Sequence, residues 1–445
     1  MSPSHLSLNR RQLLQYTGLG VSALVAQQLL AGCAVNPVTG ENQFMMISEQ
    51  QEVSIDKQQS PFQFSNDYGI TQDSRLNAYV NRVGQEVASR SHRPRMPYSF
   101  SPVNAAYINA YAFPGGTIAT TRGILAELNN EAELAALLGH EIGHVNARHT
   151  AQQLSKTVFA QMAMAGLSMA TSAAGYGGAN SALQSLGGLG AGALLAHYSR
   201  DNERQADALG MEYMVKTGYS PEGMAQLMEL LIRNNQREPN ALQAMFSTHP
   251  MSSERLANVR NAMNSQYSGQ MRQATNRERY MDETANLRRF KPMLNTLQKA
   301  SAATAAKKLN EAGSLFNQAI QQAPGDYTAL LMMAKFQMGT DNNSAAENYA
   351  RQAIQAYPQE PQARLVSGVS MLNNKRYDAA YQELTNYDRM LPGTVQVNFY
   401  QGYALEGMGR REEAAQKYVN FLNKQNKGKE AQYAYNRLKS WGYVK

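Results

Sequence analysis

Cysteine is almost missing from this chain. Cys33 is the only one among 445 residues, which excludes an internal disulfide. Histidine is scarce too, at seven (5, 92, 140, 144, 149, 197 and 249), so few residues can build an imidazole site. Charge of one sign does not accumulate. Lys and Arg number 42 against 34 Asp and Glu, a mild surplus that fits an anionic membrane surface or nothing in particular. No nucleic-acid motif accompanies it. Beyond the N-terminal segment no clean apolar run is long enough to span a bilayer. What the chain does have is 43% hydrophobic residues, enough for ordinary cores in two or three domains.

His140-Glu141-Ile142-Gly143-His144 is an instance of H-E-x-x-H. The preceding Asn130 to Leu138 is rich in Ala, Leu and Glu, which predicts a helix. Residues four apart share a helix face, so His140 and His144 can grip one metal ion. Neutral imidazoles suit Zn²⁺, and a third protein ligand leaves one position for water. Glu141 is placed to act on that water as a base. A third histidine is not supplied nearby: the positions seven and ten after His140 are Ala147 and Thr150. His149 lies five residues past His144, about 140° round a helix, and is a poor ligand. The remaining source is a later helix, Ser199 to Asp207. There Glu203 can bind the metal, and Asp207, on the same face, can accept the second N–H of a ligand histidine.

HEIGH followed by this Glu-x-x-x-Asp helix resembles the M48 gluzincin peptidases. Asn109 to Gly116 and Thr121-Arg122-Gly123 also look like the segment before the metal helix in that family, and the resemblance runs from about Asn36 to about Ala262. It implies a zinc endopeptidase with one Zn²⁺ per chain, held by His140, His144 and Glu203, with Glu141 as general base and then acid. His249, in Ser247-Thr248-His249-Pro250, matches a segment common in soluble members. It is a candidate fourth ligand that would silence the site until moved; capping or transition-state binding is the competing role. Arg200 and His249 are the candidate oxyanion donors.

Residues 98–121 alternate in polarity around a Pro114-Gly115-Gly116 turn, which predicts a small sheet beside the metal helix. Its edge could pair with an extended substrate, lined by Asn109, Gly115 and Gly116. Helices are expected near 47–59 and 73–90, and from Ser220 to about Asn235. Residues 155–196 are rich in Ala, Gly, Met, Ser and Leu with one charge, Lys156. They read as a helical hairpin or flap over the cleft, or as a buried helical pair.

Residues 1–32 read as a lipoprotein signal peptide: Arg10 and Arg11, an apolar stretch, then Leu30-Ala31-Gly32-Cys33. That ending resembles a lipobox, which implies lipidation of Cys33 and membrane attachment without a spanning helix. Ala34 after the cysteine favours the inner leaflet of the outer membrane in such lipoproteins. Asn9-Arg10-Arg11 leaves Sec or twin-arginine export open. Residues 33–45 then form a turn-rich tether, 46–265 the peptidase domain and 266–292 a polar linker or connecting helix.

From 293 to 445 a repeat sets in. Pro324, Pro358 and Pro392 share one 34-residue register; Ala312, Ala346, Ala380 and Ala414 another; Ala300, Ala334, Gly368 and Gly402 a third. This is the tetratricopeptide pattern, four units with a capping helix at Lys429 to Trp441. The expected fold is therefore mainly α: an α+β metallopeptidase domain with a small β-sheet, then an α-solenoid. Peptidase plus repeats resembles the periplasmic proteases that enhance β-barrel assembly. Partners implied are unfolded or misassembled envelope proteins as substrates, the β-barrel assembly machinery through the repeat groove, and the membrane through the lipid, with no nucleic acid. Two rivals stand beside this: a repeat-based adaptor with a latent metal site, and a metal-binding scaffold without catalysis.

Overall fold

A computed structural model describes residues 33–169, 198–237 and 239–444. The expected signal peptide, His197 and most of the apolar segment at 155–196 lie outside the described residues.

The first half runs β1 (Cys33–Val35), β2 (Asn42–Phe44), α1 (Glu49–Asn66), α2 (Ser74–Ala88), β3 (Ser99–Val103), β4 (Ala110–Ala112), β5 (Thr117–Thr121), α3 (Arg122–Glu127), α4 (Glu131–Asn146) and α5 (His149–Met169). After the gap come α6 (Arg200–Lys216), α7 (Glu222–Arg237), α8 (Pro239–Thr248) and α9 (Ser253–Asn264). The starts follow local chemistry. Asp73, Asn130 and Ser199 each accept a hydrogen bond from the first turn they precede, satisfying a backbone N–H the helix cannot.

Three strands form one sheet in the order β3-β5-β4, with β3 parallel to β5 and β4 antiparallel to it. β4 is an edge and packs beside α4, where sequence reasoning placed it. The glycines of the turn do not line an open groove, however. Gly115 is packed under Val53 and Asp56 of α1, and Gly116 against Tyr98. Asn109 is buried as well, its backbone N–H donating to Thr121 Oγ1 at 3.1 Å. Asp56 pulls the turn inward by accepting from the Thr117 N–H at 2.9 Å.

Residues 33–45 are not a loose tether. β1 and β2 pair as an antiparallel hairpin, turned by Asn36, whose side-chain oxygen accepts from the Val38 N–H at 2.8 Å. The hairpin leans on α5: Phe44 meets Phe159 edge-on at 5.5 Å, and Ser155 Oγ accepts from the Met46 N–H at 3.0 Å.

Of the two forms expected for residues 266–292, the structure has the helical one, and it packs closely. Two short helices, α10 (Arg277–Glu283) and α11 (Ala285–Arg289), plug Tyr280 completely into the core, its hydroxyl donating to Leu125 O at 2.6 Å. Arg279 grips Glu131, which also accepts from Tyr79 and Tyr219 at 2.9 and 2.8 Å. Part of the charge of this stretch is ion-paired to the peptidase half: Arg279 pairs with Glu131, Asp282 and Glu283 with Arg75, and Lys291 with Glu127.

The C-terminal half is a stack of antiparallel helix pairs: α12 (Lys291–Ala305) with α13 (Leu309–Gln322), α14 (Tyr327–Gly339) with α15 (Asn343–Ala356), α16 (Gln362–Asn373) with α17 (Tyr377–Met390), α18 (Val395–Gly407) with α19 (Arg411–Leu422), closed by α20 (Lys429–Ser440). The small residues are at the pair contacts. Ala312, Ala346, Ala380 and Ala414 are fully buried, and a side chain on Gly402 would strike the Tyr418 ring. The turn inside each pair needs a left-handed residue at the same register: Lys307, Asp341, Lys375 and Gly409 all have positive φ.

The stack is docked on the peptidase half. Arg122 at the start of α3 pairs with Asp326 at 2.7 Å, both buried. Gln298 and Thr328 donate to the carbonyls of Ala106 and Asn104 at 2.7 and 3.1 Å. At the far end of α1, Ser65 Oγ donates to Glu360 Oε1 at 2.5 Å. Burial raises the Glu360 carboxyl from 4.5 to about 7, only partly opposed by Ser65, the Gln362 N–H and Lys335. A carboxyl whose folded pKa is raised costs stability as pH climbs from its unfolded value to its folded one. Below about pH 4.5 both states are protonated and Glu360 is neutral to stability; above about pH 7 the full penalty, about 3 kcal/mol, is present. Denaturant unfolding of Glu360→Gln against wild type should thus show the variant gaining most at pH 8 and nothing at pH 4. Equal gains at both would refute the ionisation argument.

Candidate metal centre

α4 and α6 meet backbone to backbone. A side-chain carbon on Gly143 would lie 3.0 Å from Ala206 O, and one on Gly210 would lie 2.7 Å from His140 N. Glycine at these positions removes the atoms that would hold the helices apart. The approach carries Glu203, on the first turn of α6, to the two histidines of α4.

Four buried side chains converge. His144 Nε2 is 3.1 Å from His140 Nε2 and 3.3 Å from Glu203 Oε1. His249, just past α8, brings Nδ1 within 3.0 Å of Glu203 Oε1 and 3.3 Å of His140 Nε2. One ligand-type atom from each of His140, His144, Glu203 and His249 lies within 4.8 Å of every other. Asp207, one turn beyond Glu203, meets His140 Nδ1 at 3.0 Å.

Arg255, His149 and Tyr198 complete the arrangement, and of these the sequence draws attention only to His149. Arg255 on α9 reaches back to both acids, with Nη1 2.7 Å from Glu203 Oε2, and Nε and Nη2 each 2.7 Å from Asp207 oxygens. No motif marks it, and 52 residues separate it from Glu203. His149, set aside as a ligand by its angle, stands outside the four-residue group but touches it: its Nδ1 is 2.9 Å from His144 Nδ1. Tyr198 stacks on the His144 ring at 3.9 Å. Arg200 is exposed at the start of α6, and His249 is the candidate oxyanion donor that lies within the cluster.

Charge in the cluster is sharply divided. Burial would raise Glu203, but His249, His144 and His140 outweigh it and hold the carboxyl far below the usual range. Burial also opposes Asp207, and there Arg255 wins, so it too stays ionised. Glu141 is the contrast. It is wholly buried and raised by desolvation, with only partial relief from His249 and His140. Both its oxygens lack a hydrogen-bond partner. Desolvation drives His144 well below its ordinary value, so its imidazole is neutral, as a ligand must be.

A divalent cation fits these residues. Imidazole nitrogens and a carboxylate oxygen are the donor set zinc prefers. The two Nε2 atoms of His140 and His144 face each other at 3.1 Å, and both Glu141 oxygens lack a partner, so an ion and its water would satisfy polar atoms left open here. The idle Glu141 oxygens face the same space, 3.8 Å from His249 Nε2.

Residues 74–263 match the family model described as peptidase family M48. The chain carries an M48 metallopeptidase domain. Residues 303–365 match a tetratricopeptide-repeat model. The chain is similar to a protein named "Beta-barrel assembly-enhancing protease" from Yersinia pestis. The two are 26% identical over 351 residues, covering 72% of this chain and 70% of that one. The protein of the same name from Escherichia coli K12 is 29% identical over 205 residues, so the chain spans only 40% of that relative. "Metalloprotease YcaL" of the same bacterium is 32% identical over 164 residues, 37% of this chain and 61% of that one. The M48 domain is that of a metalloendopeptidase, and its family implies a metal, typically zinc. No helix among the described residues is long and apolar enough to cross a membrane.

Proposed function

We propose that this chain is a zinc-dependent endopeptidase that cuts unfolded or misassembled proteins of the cell envelope. The observation that carries the reading is the meeting of Glu203 with His140 and His144 across the glycine-lined contact of α4 and α6. In it, His140, His144 and Glu203 hold one zinc ion, and Asp207 orients His140. When bound, the ion supplies Lewis acidity to the scissile carbonyl and acidifies water. Glu141 is the proton carrier. Its carboxylate takes a proton from the attacking water and returns it to the departing amine, and its raised affinity for protons suits both steps. β4 is the edge of the sheet nearest α4, but Asn109 and all three residues of β4 are buried, so an extended substrate reaches that edge only once it is uncovered.

The envelope setting draws on the relatives whose name refers to β-barrel assembly and on the lipobox ending at Cys33. It is a reading of periplasmic quality control by an enzyme anchored through Cys33 to the inner leaflet of the outer membrane. In it the repeats recruit clients or the assembly machinery. The decisive test is digestion of a permanently unfolded, alkylated protein by zinc-loaded enzyme. Cleavage that stops with a chelator and returns with zinc supports the reading; stoichiometric zinc with no cleavage sinks it.

His249 inside the cluster favours a resting state in which the site is closed, which also keeps alive an adaptor whose peptidase centre is mainly latent. Closure predicts that His249→Ala raises turnover on an unstructured peptide several-fold. A loss of roughly 10²-fold would assign His249 to transition-state binding instead.

A further inference from the structure

The two histidines of HEIGH have different neighbours on their outer nitrogens. His140 Nδ1 faces a carboxylate, Asp207, at 3.0 Å. His144 Nδ1 faces another imidazole, His149 Nδ1, at 2.9 Å. His149 Nε2 in turn meets Gln205 Oε1 at 3.0 Å. Two Nδ1 atoms at that separation must share one proton: two N–H groups repel, and two lone pairs make no bond. The amide oxygen of Gln205 can only accept, so His149 carries its hydrogen on Nε2 and presents a lone pair at Nδ1. His144 then carries its hydrogen on Nδ1, and its Nε2 is left bare toward Glu203 and His140. The reversed amide would put the hydrogen on His144 Nε2 and close that atom to any cation.

We propose that Gln205 and His149 form a relay that fixes the tautomer of His144. The proposal rests on the reading of His144 as a metal ligand. It adds two positioning residues, neither of which touches the ion or the substrate. The relay is held from outside. Arg148, just before His149, adopts a left-handed backbone, which a non-glycine residue adopts at a cost. Its guanidinium keeps it there, donating to Glu52 Oε1 and Ile47 O at 2.8 Å each. Tyr198 lies flat on the His144 ring and 6.1 Å from that of His149, so neither imidazole turns freely. Gln205 projects from α6, one turn before Leu209 and two residues after Glu203, so the helix that supplies the carboxylate also sets the opposite imidazole.

The test is zinc affinity by competition with a chromophoric chelator, on the full chain. His149→Leu keeps volume and removes the acceptor, and should weaken zinc about 10–100-fold. Gln205→Leu, at a half-buried position, should weaken it about tenfold by freeing the tautomer of His149. His149→Asn places an oxygen where Nδ1 stood and should restore most of the affinity, which a packing role would not. In cobalt-substituted protein the leucine variants should also shift the visible d–d bands. Zinc affinity within about twofold of wild type in both leucine variants overturns the relay. His140→Ala separates this from the underlying reading: if it binds zinc as well as wild type, the ligand assignment fails first.

Discussion

Glu141→Gln should bind one zinc per chain as wild type does and hydrolyse peptide about 10²–10⁴-fold more slowly. The amide fills the same volume, so the surrounding helix contact is kept. It cannot take a proton from water at any accessible pH. Zinc content is unaffected in this expectation because neither Glu141 oxygen belongs to the converging group of His140, His144, Glu203 and His249. Metal analysis and initial rates on an unfolded substrate decide the matter together. Loss of zinc in the variant would mean that Glu141 is a ligand, and unaltered rates would mean that another base serves.

Arg255 should carry the largest effect on stability. It is buried and pairs with two buried carboxylates, Glu203 and Asp207. Removing one partner of such a set leaves charge without compensation, at a cost of about 3–5 kcal/mol. In zinc-free protein, Arg255→Ala should lower the melting midpoint by roughly 10 °C. Arg255→Lys should fall between, since an ammonium is a point charge and cannot fork across both acids. Zinc should recover more of the lost midpoint in Arg255→Ala than it adds to wild type, because the cation supplies the charge that Glu203 lacks. Equal zinc-induced shifts in the two proteins would show that Arg255 acts on Asp207 alone.

The parts of this molecule written in short-range patterns were readable before any coordinates. HEIGH and the Glu203/Asp207 pair each depend on positions four apart, and a helix turns that spacing into a shared face. The repeats were readable because a packing contact between paired helices recurs every 34 residues and admits only small side chains. What sequence hid were contacts made across long separations. Arg255 is an ordinary arginine on a polar helix until the fold sets it beside two acids. How the polar stretch at 266–292 packs was not legible, because Glu131, the partner of Arg279, lies some 148 residues earlier. Gly115 and Gly116 looked like the lip of a groove because the sequence does not say that α1 lies across them.

The glycine-to-backbone contact between α4 and α6 also limits which ions the centre can accept. Main chain meets main chain there, so no rotamer change can widen the gap by a few tenths of an ångström. Calcium needs about six to eight oxygens at roughly 2.3–2.6 Å, in a flexible cage. His140, His144 and Glu203, set on two helices packed main chain to main chain, offer a single carboxylate and no cage of oxygens. The peptidase should therefore ignore a large excess of calcium while responding to traces of zinc.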